Sequence, residues 1–262
     1  MKLPYYHVDA FSSELFRGNP AGVCPLERWL PDAVLQNIAT ENNLSETAFF
    51  APADEGFDLR WFTPTVEVDL CGHATVASAE VLFSELNQPG NTIRFQTRSG
   101  PVTTARRGAL IELDFPSRPP AACPGDDLLT RALGHAPREV LKARDYLAVY
   151  DSQSQVAALT PDFTLLERLD SAGIIVTARG ENCDFVSRYF APRAGIPEDP
   201  VTGSSHCSLI PFWAGRLGKN ELFARQISRR GGELHCRLMG DRVAIGGRSV
   251  IFGRGFLEVP VS

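Results

Sequence analysis

Several signatures of common functional classes are missing from this chain of 262 residues. No stretch is long and apolar enough to span a bilayer, and the first residues contain neither an apolar core nor a small-residue cleavage site. Long runs of lysine or arginine are absent and the net charge is −5, so the sequence offers no electrostatic footprint for nucleic acid or an anionic membrane. We therefore expect a cytoplasmic protein without nucleic-acid or membrane partners.

Signatures of disulfide frameworks and closed zinc sites are missing as well. The six cysteines are widely spaced and include no C-x-x-C pair, so we expect cytosolic thiols. His206-Cys207 and His235-Cys236 are adjacent pairs, but neighbouring side chains on a strand or helix point apart, which is poor geometry for zinc. We expect no metal.

Glycine-rich cofactor motifs are also absent. The segment Gly18-Asn19-Pro20-Ala21-Gly22 lacks the Gly-x-Gly-x-x-Gly spacing of a dinucleotide site and is typical of a tight turn. No phosphate-binding Gly-Lys-Ser/Thr and no Gly-x-Ser-x-Gly nucleophile elbow occurs. The sequence thus gives no support to nicotinamide, ATP or serine-hydrolase chemistry, and we expect no cofactor.

What is present is a strand-rich pattern with fewer helices. Short apolar or alternating segments bounded by Gly, Pro and Asn predict strands at residues 4–11, 46–51, 57–63, 92–98, 109–115, 146–150, 173–178, 183–190, 233–238, 241–246 and 249–259. Apolar residues at helical spacing, with start and stop signals, predict helices from Pro31-Asp32 to Asn42-Asn43, after Gly72-His73, between Asp126 and Gly134, from Thr160-Pro161, and after Gly203-Ser204.

The two copies of a faint internal repeat are separated by a linker near the middle of the chain. The proline-rich residues 115–124 read as a linker, giving halves at 1–116 and 117–262, with a last strand that could cross back to the N-terminal half. In both halves an aromatic strand is followed by Pro, an acidic residue, Gly and an apolar helix. The first copy is Arg60-Trp61-Phe62-Thr63-Pro64, Glu67 and Gly72-His73. The second copy is Arg188-Tyr189-Phe190-Ala191-Pro192, Glu198-Asp199 and Gly203-Ser204. This repetition predicts a duplicated fold with a cleft.

Two glycines at helix starts are candidates for anion binding. A helix that begins directly after Gly72 or Gly203 lets a ligand approach its free N–H groups and positive dipole end. Ser204 could add a donor or simply cap its helix. A carboxylate or an enolate oxygen would suit such sites.

The titratable candidates are Glu46, His73 and Asp199. Glu46 precedes an apolar strand, where partial desolvation would raise the pKa of its carboxyl and suit it to take and return a proton; the residue taken by itself favours a solvated glutamate at an exposed strand position. His73 and Asp199 would assist if folding brings the halves together, although His73 could equally be a helix-start residue bonded to backbone. Cys71, beside a histidine and a helix start, is either a reactive thiol or a buried small residue.

The ordered set of motifs resembles the PhzF-like isomerases of phenazine biosynthesis, a branch of the diaminopimelate epimerase fold. The resemblance spans nearly the whole chain, through Val8-Asp9-Ala10-Phe11, Gly18-Asn19-Pro20-Ala21, Asn43-Leu44-Ser45-Glu46-Thr47, Phe62-Thr63-Pro64, Glu67-Val68, Cys71-Gly72-His73-Ala74-Thr75, Phe190-Ala191-Pro192 and Glu198-Asp199-Pro200-Val201-Thr202-Gly203-Ser204.

The resemblance implies an α+β fold of two similar halves, each a mixed, β-barrel-like sheet around a central helix, with the site between them and a homodimeric assembly. It implies Glu46 as general base and acid, His73 and Asp199 as assisting residues, and no cofactor or metal. Gly72, Gly203 and Ser204 would bind a small carboxylate-bearing substrate. Cys71 matches one of the two cysteines of epimerase relatives, and the second position falls near Thr202.

Three functions stay open on the sequence alone. An isomerase that shifts a hydrogen through Glu46 is the reading we adopt. An epimerase or racemase would instead use Cys71, and a small-molecule-binding protein of the same fold would show no turnover.

Overall fold

The computed structural model describes residues 1–259, and the chain divides into two compact units. The first comprises Met1–Asp114 together with the segment that starts at Gly246, and the second comprises Phe115–Ile245. Within residues 1–259 no helix is long and apolar enough to cross a membrane.

The first unit is a mixed sheet with two helices. Its helices are α1 (Asp32–Asn42) and α2 (Gly72–Ser84). Its strands are β1 (Lys2–Ala10), β2 (Asn19–Pro25), β3 (Glu46–Pro52), β4 (Phe57–Phe62), β5 (Glu67–Val68), β6 (Thr92–Gln96), β7 (Val102–Arg107), β8 (Leu110–Pro116) and, after the second unit, β18 (Ser249–Glu258).

The second unit contains four further helices. These are α3 (Asp127–Leu133), α4 (Gln153–Ala158), α5 (Phe163–Leu166) and α6 (His206–Leu217), with a short 3-10 turn at Pro192–Ala194. Its strands are β9 (Ala121–Ala122), β10 (Glu139–Lys142), β11 (Tyr146–Val149), β12 (Ile174–Arg179), β13 (Phe185–Ala191), β14 (Ile196–Asp199), β15 (Glu221–Gln226), β16 (Gly232–Met239) and β17 (Arg242–Gly247), whose last residues enter the first unit.

Strand pairing follows the same order of orientations in both units. From β18 through β1, β2, β3, β4 and β6 to β7, the pairs are antiparallel, antiparallel, parallel, antiparallel, parallel and antiparallel. The series β9, β10, β11, β12, β13, β15 and β16 repeats these six orientations. β5 and β14 are short antiparallel additions to β4 and β13. The internal repeat found in the sequence therefore corresponds to a repeated strand topology.

A matching ion pair marks the repeat. Arg60 binds both carboxylate oxygens of Glu67 at 2.8 and 2.7 Å, and its guanidinium lies over the Phe62 ring. Arg188 binds Glu198 at 2.7 and 3.0 Å and lies over Phe190. Planar guanidinium groups suit such bidentate pairs. The predicted α+β class with two similar halves is confirmed.

Each unit packs one apolar helix against its strands, and α2 is buried almost completely. In α2 the residues from His73 to Ala79 and from Val81 to Phe83 are buried, and the helix packs on β1, β2, β3, β7 and β18. In α6 Trp213 stacks on Phe185 of β13 at 5.7 Å and donates to Thr177 of β12 at 3.0 Å. Apolar and small residues occupy nearly every position of α2 because this helix is enclosed rather than amphipathic, whereas α6 keeps an exposed last turn at Gly215 and Arg216.

The sequence-based prediction missed α4 and the strands β2, β7, β10 and β15. The predicted turn at residues 18–22 is confined to Gly18 (φ +68°), and Asn19 already begins β2, because β1 and β3 pair with both of its edges. The helix expected from Thr160-Pro161 is α5, which begins at Phe163 after the cap Asp162 and is only one turn long; the missed helix α4 precedes it.

The helix expected after Gly203-Ser204 is α6, which begins at His206 and ends before Gly218. The backbone N–H groups of His206 and Cys207 donate to the Gly203 and Ser204 carbonyls, which is a tight turn ahead of the helix. Pro211 lies inside α6 and has no N–H for the Cys207 carbonyl; the backbone N–H of Arg118 donates to it instead at 2.8 Å.

Candidate active site

Glu46 is the first residue of β3, and the end of α1 places it there. Asn43 adopts a left-handed conformation (φ 48°) and its N–H donates to the Ala39 carbonyl, which ends the helix. The chain then enters β3 parallel to β2, with Glu46 opposite Ala21. The Glu46 side chain is only 12% exposed, so the reading as a solvated surface glutamate was wrong.

His73 lies in the first turn of α2. Cys71 precedes the helix in an extended conformation, and its carbonyl accepts from the Thr75 N–H and from Thr75 Oγ1 at 3.2 and 2.6 Å. The His73 side chain is 6% exposed because the helix is enclosed by the sheet.

Glu46 and His73 meet in the first unit. Their Oε2 and Nε2 atoms lie 3.2 Å apart. Burial lowers the pKa of the His73 imidazole to about 3 because the charged ring loses its hydration. The ring is therefore neutral at neutral pH, so it carries one proton and presents one nitrogen as donor and one as acceptor.

Cys71 lies on the other side of the same ring. Its Sγ is 3.5 Å from His73 Nδ1, and the residue is buried. A neutral imidazole supplies no positive charge to stabilise a thiolate. This contact therefore favours a thiol that donates a weak hydrogen bond.

Potential metal ligands from Glu46, Cys71 and His73 lie within 4.8 Å of one another. The carboxylate faces Nε2 of the ring, whereas the thiol faces Nδ1. Each ring nitrogen binds a cation along its own lone pair, and the two lone pairs point to different sides. A cation on either nitrogen would reach only one of the two partners, so we interpret these groups as a buried polar cluster in mutual contact.

Asn19 is a further member of this set that residue chemistry alone did not indicate. It is the first residue of β2, is fully buried, and its Nδ2 lies 3.2 Å from His73 Nδ1. The signal was present in the Gly18-Asn19-Pro20-Ala21 motif, but the glycines there favoured a turn. Asn19 also faces Ala10 across the β1–β2 ladder, which places it at the strand start.

Asp199 ends β14 in the second unit and is buried. Its Oδ2 accepts a hydrogen bond of 2.5 Å from Thr202 Oγ1. Gln226 ties this corner together, since its Nε2 donates to the Asp199 carbonyl and its Oε1 accepts from the Thr202 N–H at 2.8 and 2.9 Å. Gly203 and Ser204 follow in the turn before α6.

A second buried polar group lies near Asp199 and was missed by sequence reasoning. Tyr189 pairs with Asp199 in the β13–β14 ladder, and its hydroxyl lies 3.4 Å from Asp145 Oδ1 and from an Arg144 guanidinium nitrogen. Burial raises the pKa of the Tyr189 hydroxyl, and the Asp145 carboxylate adds to this rise. The phenol therefore stays protonated.

The structure brings the predicted site residues together in two sets. Glu46, Cys71, Gly72 and His73 lie together in the first unit. Asp199, Gly203 and Ser204 lie along one short segment of the second unit. That the two sets form one pocket stays a prediction.

Comparison with known proteins identifies the relatives of this arrangement. A family model described as phenazine biosynthesis-like protein matches residues 8–255. This chain belongs to that family. An uncharacterized isomerase of Pseudomonas aeruginosa is 51% identical over 259 residues, which is 99% of this chain and 100% of the relative.

Solved structures of the phenazine biosynthesis-like family share the fold. A crystal structure of a PhzF-family protein from Enterococcus faecalis has a TM-score of 0.97 at 48% identity and covers 99% of this chain and 100% of its own. A hydroxyproline epimerase from Agrobacterium vitis has a TM-score of 0.63 at 12% identity, covering 98% and 92%, and is similar in fold alone. The resemblance predicted from the motifs is confirmed, and the family is of the isomerase type.

Proposed function

We propose that this protein is a cofactor-independent isomerase that shifts a hydrogen on a small carboxylate-bearing substrate, with Glu46 as general base and acid. The observation that carries the proposal is the buried contact of 3.2 Å between Glu46 Oε2 and His73 Nε2. A carboxylate held by a neutral, desolvated imidazole can take up a proton and release it again.

The reaction conserves all atoms of the substrate. Glu46 takes a proton from carbon, and the electron pair of that C–H bond moves into the conjugated carboxylate system as an enolate-type anion. A proton then returns from Glu46, after exchange with solvent in at least part of the turnovers, to a different carbon on the same face. A new C–H bond forms there, the double bond changes position, and Glu46 is again ionised.

The developing anion needs hydrogen-bond donors. The first N–H groups of a helix have no acceptor within it and lie at its positive dipole end. We assign this role to Gly72 at the start of α2. Gly203 and Ser204 would contribute amide and hydroxyl donors from the turn before α6, and His73 and Asp199 would assist the proton transfer.

Deuterium uptake tests the role of Glu46. The protein is incubated with cyclic or unsaturated carboxylates in deuterated water, and label in the carbon skeleton is measured by mass spectrometry. We expect Glu46→Gln to lower the rate about a hundredfold or more, the usual scale for loss of general acid/base catalysis. Glu80→Gln is a matched control. It makes the same change at a residue of α2 that lies about two turns beyond His73. Equal label in wild type and Glu46→Gln contradicts the proposal.

The epimerase alternative would use Cys71, whose Sγ lies 3.5 Å from His73 Nδ1. Cys71→Ala separates the two functions: a Glu46-driven isomerase keeps most of its activity, whereas an epimerase that uses the thiol loses it. A protein that retains ligand without any exchange at carbon would be a binding protein instead.

We also propose a homodimer. Supporting it is an exposed apolar surface of the first unit, where Phe16 and Phe252 are 68% and 49% exposed with rings 5.6 Å apart, beside Leu15. Sedimentation equilibrium of wild type and Phe252→Ser tests this. A wild-type monomer at micromolar concentration contradicts it.

A further inference from the structure

Three neighbours surround the buried ring of His73, each on a defined nitrogen. Asn19 Nδ2 and Cys71 Sγ lie 3.2 and 3.5 Å from Nδ1. Glu46 Oε2 lies 3.2 Å from Nε2. They come from β2, from the residue before α2 and from β3, so they are independent of one another in the chain.

The donor and acceptor properties of Asn19 fix the protonation pattern of the ring. An amide nitrogen only donates, so the Nδ1 that it faces offers a lone pair; the Cys71 sulfur is a weak donor and a weak acceptor and is compatible with this arrangement. The Glu46 carboxylate lies 3.2 Å from Nε2 without hydrogen-bond geometry, and its negative charge favours a proton on that nitrogen. Because the buried ring is neutral, it carries one proton, which these contacts place on Nε2.

We infer that Asn19 is a positioning residue whose side-chain amide holds His73 in the tautomer protonated on Nε2, the nitrogen that lies 3.2 Å from Glu46 Oε2. The amide is the stronger of the two donors on Nδ1, since a thiol is a weak donor. Asn19 is held rigidly, because it is fully buried and paired with Ala10 in the β1–β2 ladder.

For the proposed function, on which this consequence rests, the tautomer sets the starting state of Glu46. An Nε2–H donor stabilises the ionised carboxylate, so Glu46 begins the reaction as a base. The opposite tautomer would direct a lone pair at the carboxylate and favour its protonated form. Asn19 thus decides which form of Glu46 the substrate meets.

Ring-nitrogen NMR measures the tautomer without any substrate. Long-range proton–nitrogen correlation spectra of protein labelled with ¹⁵N-histidine report which ring nitrogen carries a proton. Of the five histidines, His73 is assigned by the signals that disappear in His73→Gln. His206 is an internal reference of opposite type, since its Nδ1 donates to the Thr202 carbonyl at 2.8 Å and the residue is also fully buried.

We expect a protonated Nε2 on His73 and a protonated Nδ1 on His206 in the wild type. Asn19→Asp replaces the amide donor by an acceptor, so the Nδ1 of His73 should become protonated. Asn42→Asp is the matched control. It makes the same change from amide to carboxylate at a residue whose Nδ2 donates to Thr47 of β3 at 3.1 Å. In this control and in Cys71→Ala the proton should stay on Nε2.

Each outcome decides the inference. A wild-type His73 with its proton on Nδ1 overturns it, even if Asn19→Asp does not fold. A proton that stays on Nε2 in folded Asn19→Asp, or that moves in Cys71→Ala, also overturns it. Because the measurement uses free protein, it can succeed while the deuterium experiment fails, and the two failures are distinguishable.

Discussion

At the scale of single residues, His73 links stability to pH. Burial lowers the pKa of its imidazole to about 3 in the folded protein, whereas a histidine in an unfolded chain titrates near its usual value of about 6.5. Between these values the unfolded chain binds more protons than the folded one. Folding stability contributed by this residue is therefore lost as the pH falls below about 6.5.

His73→Gln should make the free energy of unfolding fall less steeply as the pH is lowered. In the wild type this histidine costs about 1.4 kcal/mol of unfolding free energy per pH unit below about pH 6.5. Urea denaturation between about pH 7 and pH 5 should show a shallower decline in the variant. His235→Gln, at an exposed position of β16, is the control and should leave the slope unchanged. Parallel slopes for His73→Gln and wild type would refute a neutral buried ring.

Residue chemistry predicted part of the site. Glu46 and His73 could be named from their types and their places at a strand start and a helix start. Asn19 could not, because an asparagine next to two glycines favours a turn, and its contact with His73 spans 54 positions of the chain. Only the packing of α2 on β2 makes it a neighbour of the imidazole.

At the scale of elements, one glycine permits the connection from β1 to β2. Gly18 has a φ of +68°, and a Cβ atom there would lie 2.2 Å from the Ala10 carbonyl oxygen. The next residue, Asn19, pairs with Ala10, so the turn cannot relax without shifting the ladder.

Gly18→Ala should therefore lower the free energy of unfolding by about 3 kcal/mol or more, the range of steric and backbone strain combined. Gly240→Ala is a matched control with a φ of +69° and nothing within 4 Å of an added Cβ. It should cost about 1 kcal/mol, the penalty of the left-handed conformation alone. Equal losses in urea denaturation would mean that the close approach to Ala10 relaxes.

A second feature at the scale of elements is the pair of hydrogen bonds that Arg188 donates to the end of α4. Besides Glu198, its guanidinium donates to the carbonyls of Val156 and Leu159 at 3.1 and 2.8 Å, at the end of that helix. The Arg188 side chain is 12% exposed, so little water can reach these carbonyls to replace its hydrogen bonds.

Arg188→Met should destabilise the protein by about 3 kcal/mol, because it leaves a half-buried carboxylate and two carbonyls without their donor. Arg94→Met breaks the pair between Arg94 and Glu55, whose side chains are 51% and 72% exposed, and should cost less than about 1 kcal/mol. Chemical denaturation compares the two. A loss for Arg188→Met no larger than for Arg94→Met would show that water replaces the buried donor.

At the scale of the whole molecule, each unit has its own core. The first includes Leu35, Phe49 and Phe62, and the second includes Leu129, Val176 and Phe190. The first unit is completed only by the end of the chain, since β18 pairs with β1 from Lys2 to Ala10.

A chain that ends at Gly247 should therefore lose order in the first unit only. Without β18 the N–H and C=O groups along one edge of β1 have no partner. Hydrogen exchange followed by mass spectrometry should show protection of β1 and β2 reduced about a hundredfold, with β11, β12 and β13 still protected. Loss of protection throughout would mean that the two units unfold as one.

The sequence by itself determined the family, the α+β class and the repeat, because ordered motifs, turn residues and apolar periodicity are local properties of the chain. Tertiary structure decided the start of α6, the conversion of residues 19–22 into a strand, and the neighbours of His73. These depend on strands and helices that are distant in sequence supplying partners for backbone and side-chain polar groups. Glu46 could be recognised as an acid from the sequence, but its burial and its contact with a neutral imidazole exist only in the folded protein.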